Sequence, residues 1–173
     1  IMSAMELARQ VEQAAKAYQE NWEVVRQVDS IVSSADALST PIKSIIQRLS
    51  EGVAGENDDG TPPNLMSDHC LDPNRHSVFL ALLPSIQSEA EEVLKGADEL
   101  IKQSHLAFYS LSADWVDPGF KSTAYETVRG LMTLKDQCRE LLDTTSQKVA
   151  RLREARQLWS AINLNLKELQ YLR

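Results

Sequence analysis

Apolar residues recur at alternating steps of three and four over almost the whole chain, and this periodicity constrains the fold more than any other feature. Between residues 4 and 53 one heptad frame fits throughout. Its first row is Ala4, Val11, Tyr18, Val25, Val32, Ser39, Ile46 and Val53, and its second is Leu7, Ala14, Asn21, Val28, Ala35, Ile42 and Leu49. Thirteen of these fifteen sites are apolar against 43% for the chain, so the stripe is not an accident of composition. Ala17, Val24, Ile31, Leu38 and Ile45 widen it. A stripe that broad suits a helix touching two neighbours better than a two-stranded coiled coil.

Ser39-Thr40-Pro41 could open a new helix, since proline lacks the N–H that a first turn leaves unpaired. Ile42, Ile45, Ile46 and Leu49 nevertheless continue the stripe in phase, which a fresh helix has no reason to do. The phase predicts one helix over 3–51, kinked near Pro41 and about 75 Å long at 1.5 Å per residue.

Residues 52–76 break every periodicity with three Gly, three Pro and five acids, and predict a loop. Ser77 then caps a second helix, expected over 77–113. Its row is Phe79, Leu83, Ile86, Ala90, Val93, Ala97, Leu100, Ser104, Ala107 and Leu111, flanked by Leu80, Leu94, Ile101, Phe108 and Trp115. Pro84 lies inside it and predicts another kink. Ala90, Ala97 and Ser104 are small enough to let a neighbouring helix approach closely. Asp117-Pro118-Gly119 reads as a turn within 114–121. From 122 to 173 there is no Pro and one Gly, and the row runs Leu131, Leu134, Cys138, Leu141, Thr145, Lys148, Leu152, Ala155, Trp159, Ile162, Leu166 and Leu169. This predicts a third helix over 122–173.

The expected fold is therefore all-α: a single elongated domain over 1–173, an antiparallel up-down-up bundle of three long helices with coiled-coil-like packing. Charge supports the pairing of the last two. Residues 77–119 carry two Lys against seven acids, and residues 120–173 carry ten basic side chains against six acidic ones. Folding about the turn would bring Glu89, Glu91 and Glu92 near Lys148 and Arg151. Asn21, Ser39 and Lys148 on the seams would penalise wrong registers.

The middle helix is the shortest, so one end should hold only two helices, built from residues near 41–53 and 157–173. That end would present Ile42, Ile45, Leu49, Trp159, Ile162, Leu166, Leu169 and Leu172, an apolar surface of the size that marks a contact site. Lys148, Arg151, Arg153 and Arg156 form the basic patch expected on the last helix.

Chemistry is sparsely written. The stretch SDHCLDPNRH offers Asp68, His69, Cys70, Asp72 and His76, but without the paired short spacings of a zinc site. Glu56, Asp58 and Asp59 lack the alternating ligands and distal Glu of a calcium loop. Cys138 sits on a helical seam as a small apolar filler, with no histidine at a helical spacing to activate it, and His105 falls near the second helix's seam. Phosphate loops, nucleophile elbows and H-E-x-x-H pairs are missing from the sequence. The sequence predicts no enzyme, no cofactor and no resident metal.

A net charge of −7 and 6% aromatics disfavour nucleic acid. Two cysteines make no disulfide framework, and no signal peptide or membrane-length apolar run is visible, so an intracellular, cytoplasmic setting is expected. The chain, beginning at Ile1 and ending inside an amphipathic pattern, reads as a segment of a longer protein. Its expected function is that of a scaffold or adaptor for helical protein partners, forming homo- or hetero-oligomers through the apolar end. Three long antiparallel helices also resemble, in architecture, the crescent dimers of BAR-type membrane-curving domains. That resemblance implies a second reading, a membrane-associated curved helical dimer.

Overall fold

The computed structural model describes residues 1–55, 71–112 and 117–172. Helix α1 spans Ala4–Ala54, α2 spans Ser77–Tyr109 with a 3-10 turn over Ser110–Ser112, and α3 spans Pro118–Tyr171. The described residues contain no strand. The chain is all-α, a bundle of three long helices. Trp115 and the middle of the 52–76 loop lie outside the described residues, as do Glu56, Asp58, Asp59, Asp68, His69 and Cys70.

Pro41 and Pro84 both fall inside helices, so the in-phase stripe outweighs the start signal at Ser39-Thr40-Pro41. Each proline gives up one backbone hydrogen bond, a cost of about 3 kcal/mol that burial on both sides of it offsets. Ser39, expected to police register, spends its hydroxyl on the Ala35 carbonyl of its own helix at 2.8 Å.

The helix ends differ from the expected boundaries for identifiable reasons. At the start of α1, Ser3 Oγ accepts the Glu6 N–H at 3.3 Å, the beginning of a serine cap. Gly52 does not stop α1. The helix runs three residues past the predicted end and closes at Gly55, whose φ of 87° is the left-handed C-terminal glycine conformation. Asp117-Pro118 is a helix start, not a free turn. Asp117 Oδ2 accepts the Phe120 N–H at 3.2 Å, and Pro118 takes the first helical position, so α3 begins four residues earlier than predicted. Asp72-Pro73 repeats the device. Asp72 Oδ1 accepts the Asn74 N–H at 2.8 Å and leads the chain into α2 ahead of Ser77, the predicted cap.

The helices are shared between two compact units. The first comprises Ile1–Pro41 and Val93–Lys135. Its core gathers Val28, Ile31 and Ala35 of α1, Leu94, Ala97, Ile101 and Phe108 of α2, Leu111, and Ala124, Val128 and Leu131 of α3. Lys135 pairs with Asp98 at 3.1 Å, and the Phe108 and Tyr125 rings lie 4.8 Å apart. Residue numbers rise along α3 as they fall along α2, so that pair is antiparallel. Ser104, fully buried, donates to the Ile101 carbonyl at 2.6 Å.

The second unit comprises Ile42–Glu92 and Asp136–Arg173. Ile42, Ile45 and Leu49 of α1 pack with Leu71, Phe79, Leu83, Ile86 and Ala90, and with Cys138, Thr145 and Leu152 of α3. Arg48 meets Glu89, Gly52 meets Phe79, and Val53 meets His76, so α1 and α2 are antiparallel here too. Thr145 donates to the Leu141 carbonyl at 2.7 Å, which makes a threonine acceptable on the seam. The buried polar side chains among the described residues are thus Ser104, Thr145 and His76, whereas the expected register residues Asn21, Ser39 and Lys148 are only half-buried.

Candidate interaction surface

Two corrections to the expected apolar end come from the register of α1 on α2. Ile42, Ile45 and Leu49 are 0% exposed. They belong to the core of the second unit, in which the start of α2 is tied back to the end of α1. The His76 ring, itself buried, accepts the Asp72 N–H at Nδ1 (2.9 Å) and reaches the Val53 carbonyl with Nε2 (3.0 Å). An Nδ1 that accepts carries no proton, so Nε2 is the donor. This knot brings the first turns of α2 alongside the last turns of α1, so no two-helix end forms from 41–53 and 157–173.

The other half of the predicted surface is solvent-facing, on a single helix. Along α3 the row that is buried at Cys138, Thr145 and Leu152 continues without a break in helix or phase. Ala155 is half-buried, and from Arg156 through Leu172 every residue is exposed. Trp159 is 65% exposed, Ile162 50%, Leu166 53% and Leu169 58%, and Leu172 is more open still. Sequence reasoning missed Leu158, Leu164 and Tyr171, which are exposed on the same stretch. They sit off the heptad rows, so periodicity gives no reason to group them.

The head of α1 behaves likewise within the first unit. Met5, Leu7 and Val11 are exposed, and burial on that helix begins at Val28. The seam predicted from Ala4 onward is real as a pattern, yet among the described residues its first three turns are exposed, with no helix against them.

The basic residues do not make one patch. Lys148 is half-buried, while Arg151, Arg153 and Arg156 are exposed. At about 100° per residue, Arg151 and Arg153 point about 200° apart around the helix axis. Glu89 turns to α1 instead of α3: Arg48 grips it with both terminal nitrogens at 2.8 and 3.0 Å. That bidentate hydrogen bond lowers the Glu89 carboxyl below its usual range and raises the Arg48 guanidinium, against a small opposing effect of burial on each.

Among the candidate reactive groups, Cys138 is fully buried and carries a free thiol whose pKa is raised by desolvation, partly offset by Arg139. It fills space on the seam. His105 is exposed. Both ring nitrogens of His76 are taken by backbone groups, which removes it from any ligand set. Among the described residues, no three His, Cys, Asp or Glu side chains gather as a metal cage. In the first unit α2 and α3 frame a groove of about 370 Å³, lined chiefly by Phe108, Tyr109, Tyr125, Val128, Arg129 and Met132. No helix of the described residues is long and apolar enough to cross a membrane.

Comparison with known protein families, with curated proteins and with solved structures finds no match to this chain. The functional reading therefore rests on the geometry alone.

Proposed function

We propose that this chain is a non-enzymatic helical scaffold, cytoplasmic in setting, that engages a helical protein partner through the exposed face of α3 beyond Ala155. One observation carries the reading. The apolar row that builds the second unit's core up to Leu152 runs on through Trp159, Ile162, Leu166 and Leu169, exposed and with no helix against it among the described residues. An apolar face of that extent, continuous with a packed seam and bordered by polar positions such as Asn163 and Asn165, is the pattern of a helix awaiting a mate. A free, buried thiol at Cys138 accords with a reducing compartment. Docking on an anionic bilayer would call for cations sharing one face, and Lys148, Arg151, Arg153 and Arg156 are spread around the axis of α3.

The test is photocrosslinking in cells that make the protein, with a photoreactive phenylalanine analogue at Ile162 and, as control, at Gln157 on the far side of the helix. Discrete protein adducts from Ile162 and none from Gln157 are expected. No adduct from Ile162, or equal adducts from both, refutes the reading.

A further inference from the structure

Resting on that reading, we infer that the mate of the α3 face is the same face of a second copy, laid antiparallel and centred on Leu164. Among the described residues nothing covers 156–172, which are exposed throughout although α3 runs on unbroken from the packed core. The seam residues are arranged so that the stretch is complementary to its own reverse. With Leu164 at the centre, Trp159 falls opposite Leu169 of the other copy and Ile162 opposite Leu166, so no layer sets one Trp159 against the other. Leu158 lies across from Leu172 on one flank. Asn163 and Asn165 each meet their own counterparts near the axis, and Arg156 faces Gln170.

Charge selects this orientation. In a parallel, in-register pair the two flanking rows set Arg151 against Arg156 of the other copy, twice over, and stack Trp159 on Trp159. The antiparallel arrangement separates those arginines. The exposures of the six apolar residues involved correspond to roughly 600 Å² per copy, taking large side chains at about 150–250 Å² each. That is near the lower bound of a specific interface, the size range of weak, reversible pairs. The contact is isologous and closes on itself, which forbids open-ended assembly.

Two readouts test this. Sedimentation equilibrium over about 1–200 µM should show the 19.4 kDa chain passing to twice that mass, with Ile162→Asp weakening the association at least tenfold. Far-UV circular dichroism verifies that the variant keeps its bundle, as expected for a side chain that is 50% exposed. Oxidation then reads orientation in a Cys70→Ser background. Mixed Ile162→Cys and Leu166→Cys chains should join to each other, as should Trp159→Cys and Leu169→Cys, while Leu169→Cys alone should stay uncoupled. Self-coupling at Leu169→Cys means a parallel pair, growth beyond the dimer means head-to-tail contact, and a monomer at every concentration means no self-pairing. Each overturns the inference. A monomer that still gives Ile162 adducts with a different protein leaves the scaffold reading standing, whereas a monomer without adducts removes both.

Discussion

Gly52 offers a direct measurement of how tightly α1 and α2 are packed. A Cβ placed there would lie 2.0 Å from Phe79 Cδ2, 2.3 Å from Cε2 and 2.6 Å from Cγ. Ordinary carbon contacts are about 3.5–4.0 Å, so the ring would have to retreat by more than 1 Å. Because the ring's root atom is among those struck, turning the ring in place does not relieve the clash. Phe79 is buried, and crowding such a site costs about 1–3 kcal/mol, here toward the upper end. Against this stands the gain of about 1 kcal/mol from replacing a helical glycine by alanine. The net expectation for Gly52→Ala is a loss of about 2 kcal/mol, or roughly 4–8 °C in melting temperature for a chain of this size.

Gly130 supplies the control, because nothing lies within 4 Å of a Cβ built there, and Gly130→Ala should stabilise by about 1 kcal/mol. The assay is urea unfolding followed by circular dichroism, run as a double-mutant cycle with Phe79→Ala. Once the ring is gone, Gly52→Ala should change sign and stabilise, giving a coupling of about 3 kcal/mol. If Gly52→Ala stabilises the intact protein as much as Gly130→Ala does, the close approach of α1 and α2 at this point is refuted.

Replacing His76 with Ala strands the Asp72 N–H and the Val53 carbonyl, and should cost about 1–3 kcal/mol by the same unfolding assay; a neutral result would mean that the knot holds nothing. The Glu89 carboxyl is lowered in the folded state, so its contribution is fully present above the unfolded carboxylate pKa and fades as pH falls through the lower folded value. Both partners are well exposed, so the effect is at most about 1 kcal/mol, and Glu89→Gln should flatten the acid limb of stability against pH by no more than that, less in high salt. The Cys138 thiol, buried and with its pKa raised, should react with a thiol reagent in a Cys70→Ser chain only as fast as the protein opens; immediate labelling under native conditions would contradict its burial.

Helix type and helix phase were legible because burial in a bundle repeats every three to four residues. Val28, Ala35, Leu83, Ile86, Leu131 and Leu152 could all be placed from spacing alone. Two in-helix prolines did not mislead, since the stripe on either side of them stayed in step. Boundaries were harder, because Gly and Pro have two local meanings. Gly52 looks like a helix breaker, but it is a contact residue whose partner lies 27 positions away, and no one-dimensional pattern reports that. Asp72-Pro73 and Asp117-Pro118 look like turns, but each presents a side-chain acceptor and a preset φ to an incoming helix. The signal was present in both, and the rule used for Ser39-Thr40-Pro41 would have found it.

The interaction surface was half legible for a related reason. Periodicity identifies which residues share a face, but not which stretches of two faces meet. That depends on register, which between α1 and α2 is marked by the contacts of His76 with Asp72 and Val53 and by the Arg48–Glu89 pair. Comparing helix lengths put the surplus of α1 beside the surplus of α3. Ile42, Ile45 and Leu49 are instead buried in the core of the second unit, and the α3 stripe beyond Ala155 is exposed. A seam made of the same residue types is therefore core up to Leu152 and surface from Trp159, with nothing in the composition to mark the change. What divides them is where the neighbouring helix begins, so a partner able to cover Trp159, Ile162, Leu166 and Leu169 need only continue the packing the second unit has already started.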